Sequence, residues 1–160
     1  MTLSGKQIIE GDFFAGDGRC FVAVNPASGT VLDPQFQEAT CADVDRAVCA
    51  AFAAFNPYRK LPSRQRAAFL EDVGDQLNAL SLPLLERAHA ETALPRPRLE
   101  GELARTVNQL KLFARMVQDG SYVEARIDRA QPERLPLPKP DLRTMQLPLG
   151  PVAVFGASNF

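Results

Sequence analysis

The sequence has 160 residues with 18 basic and 19 acidic side chains, and its formal net charge is −1. This length suits one domain, and the charge balance implies no general attraction to nucleic acid or to an anionic membrane. No apolar run approaches the roughly 18 residues of a membrane span, and the N-terminal MTLSGKQ lacks the apolar core of a signal peptide. The three cysteines Cys20, Cys41 and Cys49 have no metal-binding spacing, which predicts a reduced, cytoplasmic protein.

The N-terminal part predicts short strands joined by turns. The strand candidates are residues 8–9 and 20–24, where apolar and β-branched side chains cluster. Glycine, aspartate, asparagine and proline mark turns at residues 11–12, 16–18 and 25–26.

An amphipathic helix is predicted to begin after Thr40. Threonine is a good N-cap, and Asp43 at the third helical position completes a near capping box. We expect the helix to end at Asn56-Pro57, because proline lacks the backbone N–H that a helix needs. Its apolar side chains recur at helical spacing and form one stripe, made of Val44, Val48, Ala51, Phe52 and Phe55.

Three more helices are predicted before residue 120. Ser63 is the expected cap of the second, and Ser81 opens the third. Pro95 and Pro97 interrupt the chain, and a fourth helix follows them until Gly120 stops it. Its apolar face comprises Leu99, Leu103, Val107, Leu110, Phe113 and Val117.

A hairpin is predicted after the last helix. Residues 122–129 alternate between apolar and polar side chains, as a half-buried strand does. Four prolines between residues 132 and 140 exclude a helix there, and residues 142–147 are the second strand candidate. Two such strands are not stable alone in water. They need a partner surface, which is either the same subunit or another one.

The last thirteen residues, PLGPVAVFGASNF, are the stretch around which the chain is organised. Residues 152–155 form a short apolar run after a Gly-Pro turn, which predicts a strand buried on both faces. Asn159 would follow at the carboxyl edge of the sheet, where ligands bind in open α/β folds. A parallel partner would need a crossover of about a dozen residues, so we expect the N-terminal part of a longer enzyme or a truncated chain.

This stretch resembles the segment of the aldehyde dehydrogenase superfamily that leads into the catalytic asparagine. The resemblance is closest to the 2,5-dioxovalerate (α-ketoglutaric semialdehyde) dehydrogenase branch, in which GASNF replaces the commoner Pro-Trp-Asn-Phe. It extends to NPASG at residues 25–29 and to residues 39–48, 91–110 and 136–143. The implied fold is α/β, the N-terminal part of the aldehyde dehydrogenase fold. Residues 1–120 would belong to the cofactor-binding domain, 121–147 to an oligomerisation β-hairpin and 148–160 to the first strand of a Rossmann-like core.

The resemblance also assigns roles to the last six residues. It implies that the Asn159 amide stabilises an oxyanion during catalysis. It places Phe155, Gly156, Ala157 and Ser158 along an NAD or NADP cofactor, with NADP favoured. Ser158 departs from the common tryptophan, so a contact of that ring does not carry over. Phe160 would flank the substrate. Each role has a simpler alternative. Asn159 could be an ordinary turn residue, residues 155–158 a tight strand end without a ligand, and Phe160 a core residue.

Arg105 is the candidate for substrate recognition. It lies off the apolar stripe of the fourth helix, which borders the substrate entrance in the superfamily, and arginine can bind a carboxylate bidentately. A solvated helix arginine is the alternative. Glu91 and Glu102 are interpreted as structural. We expect Cys41 to be a small buried residue, and we predict no metal site and no partner for His89 at metal or triad spacing.

The implied function is NAD(P)-dependent oxidation of a small aldehyde, 2,5-dioxopentanoate, to 2-oxoglutarate through a cysteine thioester. The resemblance also implies a homo-oligomer, dimer or tetramer, that assembles through residues 121–147. The charge balance and the lack of an apolar span predict no nucleic-acid or membrane partner. The chain alone is predicted to be inactive, because the nucleophile of the superfamily would lie beyond Phe160. A long-chain fatty aldehyde dehydrogenase and a non-catalytic assembly module remain the alternatives.

Overall fold

The computed structural model describes residues 3–156. Within this range two β-hairpins precede four helices, and a third hairpin follows. The strands are β1 (Gln7–Ile9), β2 (Asp12–Phe14), β3 (Cys20–Val24), β4 (Val31–Gln37), β5 (Arg126–Asp128) and β6 (Leu142–Thr144). The helices are α1 (Cys41–Arg59), α2 (Ser63–Ala79), α3 (Ser81–Thr92) and α4 (Arg96–Asp119). A search of these helices finds none with the length and apolar character that crossing a membrane requires.

The first hairpin pairs β1 with β2 in antiparallel register, with Gln7 opposite Phe14. Its turn consists of Glu10 and Gly11, whose φ angles of 58° and 88° are both positive. Two positive φ values are typical of the tight turns that match the twist of a hairpin. The strand expected at residues 8–9 is confirmed, whereas the turn lies one residue earlier than predicted because Asp12 already begins β2.

The second hairpin joins β3 to β4 through an asparagine turn. Asn25 Oδ1 accepts from the backbone N–H of Ala27 at 2.9 Å, and the Gly29 N–H donates to the Asn25 carbonyl at 2.8 Å. Gly29 has φ of 72°, a left-handed conformation that glycine adopts without a steric penalty. The predicted strand at residues 20–24 is confirmed.

The sequence did not predict β4, because Pro34 interrupts its pattern. Proline cannot donate to a strand ladder and normally argues against a central strand. Leu32, Pro34 and Phe36 nevertheless alternate as half-buried positions along β4. The Phe36 ring stacks on Phe21 of β3, with ring centroids 5.6 Å apart.

Helix α1 begins as predicted but ends later. Thr40 is its N-cap and forms a capping box with Asp43. Pro57 lies inside the last turn, and the helix continues to Arg59. The prediction that Asn56-Pro57 ends it is therefore wrong. Pro57 fixes its φ near the helical value, and the helix continues for two more residues despite the one hydrogen bond that the missing N–H removes. The apolar stripe is left largely uncovered, with Val44, Val48 and Phe52 all exposed.

The core of the described chain lies where α2 packs along α4. Ala67, Val107 and Ala114 are buried here, each with less than 5% of its surface exposed. Gly74 of α2 is also buried, and a Cβ built on it would lie 3.6 Å from Val107 Cγ1. The small residues at this contact allow the two helices to approach closely.

Two of the predicted helix starts differ from the structure. Pro62, and not Ser63, occupies the N-cap of α2, and its carbonyl accepts from the Gln65 N–H at 2.9 Å. Ser63 is the first helical residue and makes no capping hydrogen bond. Pro97 does not break the chain before α4 but lies in its first turn, where the missing N–H has no helical partner to lose. The predicted stop at Gly120 is confirmed by its left-handed φ of 76°.

The third hairpin is shorter than the sequence predicts. The strand expected over residues 122–129 is wrong at its start, because Ser121–Val123 form a 3₁₀ turn and only Arg126–Asp128 form β5. The second strand is β6, Leu142–Thr144, and not the whole of residues 142–147. Ile127 is 66% exposed, so β5 is not half-buried. Alternation buries a strand face only where another surface covers it, and the described residues supply none.

Residues 151–156 form no strand in the described structure. Val152, Val154 and Phe155 are exposed. A single extended segment has no neighbour to accept its backbone hydrogen bonds, so the predicted strand is not formed in this chain. The domain boundaries at 1–120, 121–147 and 148–160 stay a prediction.

Candidate functional site

Arg105 lies on the exposed side of α4. Its side chain is 80% exposed, and its Nη1 lies 3.7 Å from Oε2 of Glu102. The two residues are three positions apart, so they are neighbours on one helix face. This distance is too long for a hydrogen bond. The guanidinium is therefore a solvated cation that is weakly paired and able to accept another anion.

Phe155 and Gly156 are the cofactor candidates that the structure describes. Phe155 is 91% exposed, and a Cβ built on Gly156 would meet nothing within 4 Å except its chain neighbours. The Cβ side of Gly156 therefore faces open space among the described residues. The cofactor candidates Ala157 and Ser158, the catalytic candidate Asn159 and the substrate candidate Phe160 lie outside the described residues.

A groove of about 540 Å³ separates β1 and α1 from residues 151–153. Its walls are mainly apolar and include Ile9, Val44 and Val48. Asp43 is the ionisable residue that lines it, and its carboxylate already accepts from the Thr40 backbone N–H and hydroxyl, each at 2.8 Å. No free ionisable group among the described lining residues offers acid–base chemistry. The groove has the character of a packing surface.

A cluster that the sequence analysis missed surrounds Arg87 of α3. Its Nε donates to Glu91 Oε1 at 2.5 Å, its Nη1 donates to the Asp33 carbonyl, and its guanidinium lies 5.8 Å from the Phe36 ring centre. Arg87 thus ties the second hairpin to the third helix. The four-residue spacing of Arg87 and Glu91 could have revealed the ion pair. The Asp33 and Phe36 contacts have no local sequence signal.

The three cysteines lie at exposed positions, and the histidine links two helices. Cys20, Cys41 and Cys49 are free and exposed, so the prediction of a buried Cys41 is wrong. Cys41 is the first residue of α1, whose apolar face is largely uncovered. His89 Nδ1 lies 2.8 Å from the Leu94 carbonyl and so joins α3 to the start of the next helix. Among residues 3–156, no group of three His, Cys, Asp or Glu side chains is arranged to hold a metal ion.

The shifted pKa values belong to caps and surface pairs. Hydrogen bonds from the Thr40 backbone and hydroxyl hold the pKa of Asp43 below its usual range. Hydrogen bonding with Ser121 lowers the pKa of Asp119 in the same way. The Glu38 carboxylate raises the pKa of Arg19 through a hydrogen bond and charge attraction. None of these groups marks a catalytic acid or base.

A sequence profile of the aldehyde dehydrogenase family matches residues 13–160. The chain belongs to the aldehyde dehydrogenase family. Among curated proteins it is similar to alpha-ketoglutaric semialdehyde dehydrogenase 2 of Azospirillum brasilense, with 52% identity over 161 residues. It is 43% identical over 157 residues to alpha-ketoglutaric semialdehyde dehydrogenase of Acinetobacter baylyi. These alignments cover 100% and 98% of this aldehyde dehydrogenase chain but 31% and 30% of the relatives, so the chain spans about a third of their length.

The fold matches solved aldehyde dehydrogenases. A crystal structure of an NAD-dependent benzaldehyde dehydrogenase from Corynebacterium glutamicum superposes with a TM-score of 0.72 at 24% identity. The match covers 81% of this chain and 28% of that one. The predicted α/β class, a partial aldehyde dehydrogenase fold, is confirmed.

Proposed function

We propose that the enzyme containing this chain oxidises 2,5-dioxopentanoate to 2-oxoglutarate with NAD⁺ or NADP⁺. The observation that carries the proposal is the 52% identity, over the whole chain, to a relative named for α-ketoglutaric semialdehyde. A second relative at 43% identity has the same name. NADP⁺ is our first choice, on the strength of the sequence resemblance, and NAD⁺ is the alternative.

The reaction needs a nucleophile, an oxyanion donor and a hydride acceptor. A cysteine thiolate adds to the aldehyde carbon, and the carbonyl oxygen becomes an alkoxide. The nicotinamide supplies the hydride acceptor when bound. Loss of hydride leaves a thioester, and a water deprotonated by a general base hydrolyses it to the acid and the free thiol. We assign the nucleophile to none of Cys20, Cys41 and Cys49.

This chain contributes binding and orientation to that reaction. In our proposal the Asn159 amide N–H donates to the alkoxide as the negative charge develops. Phe155, Gly156, Ala157 and Ser158 line the cofactor, and Phe160 borders the substrate. The exposure of Phe155 and the open space on the Cβ side of Gly156 support such a surface.

Arg105 is the proposed ligand for the substrate carboxylate. 2,5-Dioxopentanoate carries a carboxylate at the end opposite its aldehyde, and a guanidinium can hold it with two parallel hydrogen bonds. The 80% exposure of the Arg105 side chain supports a group that a ligand can reach. A long-chain aldehyde has no group for this cation to bind, so Arg105 separates the two substrate classes.

The test compares substrates in the complete gene product. We expect a higher kcat/KM for 2,5-dioxopentanoate than for a long-chain aldehyde, and we expect Arg105→Ala to abolish that preference. Arg96→Ala is the matched control, because Arg96 is an exposed arginine of the same helix that pairs with Glu100. Parallel assays with NAD⁺ and NADP⁺ determine the cofactor.

Two outcomes would replace this proposal. A preference for the long-chain aldehyde, with Arg105→Ala silent, points to a fatty aldehyde dehydrogenase. A gene product that assembles but reduces neither cofactor with any aldehyde points to an assembly module. We expect no turnover from the 160-residue chain alone, and measurable NADPH formation by it would contradict that expectation.

We further propose that the β5–β6 hairpin is a subunit interface. Large apolar side chains on and beside it are exposed, including Ile127, Leu137 and Leu142. Single exposed apolar residues are common, but a group of them marks an interaction surface. Light scattering of the complete protein should show a smaller assembly for Ile127→Lys, whereas Val31→Lys on the separate second hairpin should keep the wild-type mass.

We also propose that the enzyme works in the cytoplasm. All three cysteines are free and exposed, which supports a reducing compartment.

A further inference from the structure

Glu102 is the counter-ion of Arg105 in this structure. Its Oε2 lies 3.7 Å from Arg105 Nη1, and the side chains are 43% and 80% exposed respectively. Both belong to α4, and Glu102 precedes Arg105 by three residues, so the acid lies on the same face about one turn away. Any carboxylate that binds Arg105 therefore meets a carboxylate already beside it.

The Arg105–Glu102 pair has a longer distance between its charged atoms than the pairs within α3 and at the start of α4. Arg96 Nε donates to Glu100 Oε1 at 3.3 Å, and Arg87 Nε donates to Glu91 Oε1 at 2.5 Å. Among the described residues, the contact between Arg105 and Glu102 is an ion pair without a hydrogen bond. A loose pair leaves the guanidinium donors available, while the negative charge of Glu102 still opposes a second anion.

We propose that Glu102 sets how strongly the enzyme selects carboxylate-bearing aldehydes, by competing with the substrate carboxylate for Arg105. The inference rests on the proposed function, in which Arg105 binds that carboxylate. A substrate anion must displace Glu102 from the guanidinium or share the cation with it. Displacement and sharing both lower the affinity for charged substrates, whereas the affinity for uncharged aldehydes is unaffected. Glu102 thus determines specificity through Arg105 and is not a catalytic residue.

The test is a double-mutant cycle in the complete enzyme. The measured quantity is the ratio of kcat/KM for 2,5-dioxopentanoate to that for pentanal, an uncharged aldehyde of the same chain length. We expect Glu102→Gln to raise this ratio about twofold through a lower KM, because exposed pairs at this spacing are weak. In the Arg105→Ala background, Glu102→Gln should have no effect on the ratio.

Two controls separate competition from a structural effect. Glu100→Gln removes one acidic charge from the same helix and breaks the pair with Arg96, and it should leave the ratio unchanged. At roughly 1 M salt, where the Debye length is about 3 Å, the twofold gain of Glu102→Gln should shrink. A purely structural role of Glu102 would change both substrates alike and would persist in high salt.

The outcomes distinguish this inference from the function on which it rests. If Arg105→Ala lowers the ratio but Glu102→Gln does not raise it, the inference is wrong and the proposed function stands. If Glu102→Gln raises the ratio equally with and without Arg105, competition for that cation is also excluded. If Arg105→Ala is silent, the role of Arg105 fails and this inference fails with it.

Discussion

Thr40 and Asp43 cap the first helix reciprocally. The Asp43 backbone N–H donates to Thr40 Oγ1 at 3.2 Å, and the Thr40 backbone N–H donates to Asp43 Oδ2 at 2.8 Å. Helix α1 is poorly covered along its apolar face, so its end hydrogen bonds matter more than usual. We expect Thr40→Ala to lower the free energy of unfolding by about 1 kcal/mol. Urea titration measures this change, and Thr40→Ser should retain most of the stability.

The same cap predicts a pH dependence of stability. Hydrogen bonds from Thr40 lower the pKa of Asp43 in the folded chain. The ionised carboxylate thus favours folding above its unfolded pKa of about 4, and this contribution disappears as the pH falls through the folded pKa. We expect the wild type to be more stable than Asp43→Asn at pH 7, and the difference to shrink below about pH 4. A difference that grows on acidification would contradict the assignment.

Arg87 should be more important for stability than the exposed arginines. Its side chain is 21% exposed and contacts Glu91, the Asp33 carbonyl and the Phe36 ring. We expect Arg87→Ala to lower the free energy of unfolding by about 1–3 kcal/mol, because hydrogen bonds to charged groups are lost from a partly covered site. Arg96→Ala is the control, and its exposed pair should contribute less than about 0.5 kcal/mol. Equal losses in thermal or urea denaturation would show that the Arg87 contacts are not special.

The packing of α2 on α4 predicts opposite effects for two changes at Gly74. A Cβ at this position would make ordinary contacts, the nearest at 3.6 Å to Val107 Cγ1. Gly74→Ala should therefore stabilise the chain by about 0.5–1 kcal/mol through higher helix propensity. Gly74→Leu should destabilise it by about 2 kcal/mol, because the larger side chain forces the helices apart. Gly101→Ala is the control. A Cβ at Gly101 would meet no atom within 4 Å outside its own helix turn, so this change measures helix propensity without a packing contribution.

Asn159 gives the sharpest prediction about catalysis. If its amide donates to the developing alkoxide, Asn159→Ala in the complete enzyme should lower kcat by about 10²–10³ with little change in KM. Asn108→Ala, an exposed asparagine of α4, is the control. A loss confined to KM would assign Asn159 to substrate binding in place of transition-state stabilisation. Steady-state rates of cofactor reduction over a range of aldehyde concentrations give kcat and KM separately and so distinguish the two roles.

Local signals predicted the helices well and the strands unevenly. Thr40, Asp43 and Gly120 act through their immediate neighbours, so the start of α1 and the end of α4 could be read from a few residues. Strand β4 was not predicted, because Pro34 interrupts its pattern. Its register is set by pairing with β3 and not by its own composition. The alternation over residues 122–129 predicted too long a strand, because Glu124, the third of these residues, takes a left-handed φ of 46°.

Some features of the candidate site could also be predicted from the sequence, whereas others depend on tertiary contacts. The motif in the last thirteen residues placed the chain among aldehyde dehydrogenases, and the family match confirms it. The sequence also suggested Arg105, but only the structure brought Glu102 to 3.7 Å from it. Likewise Arg87 reaches Asp33, 54 residues away, which no spacing rule reveals.

The sequence by itself determined the family, the helix boundaries set by local caps and the residue types available for binding. Only the tertiary structure decided which apolar faces are covered. The stripe of α4 gains a partner in α2 and buries Val107, although Phe113 of the predicted stripe is exposed and Ala114 beside it is buried instead. The stripe of α1 stays exposed at Val44 and Val48. Both stripes have the same periodicity. Burial depends on a second surface coming within contact distance, and periodicity along one helix carries no information about that surface.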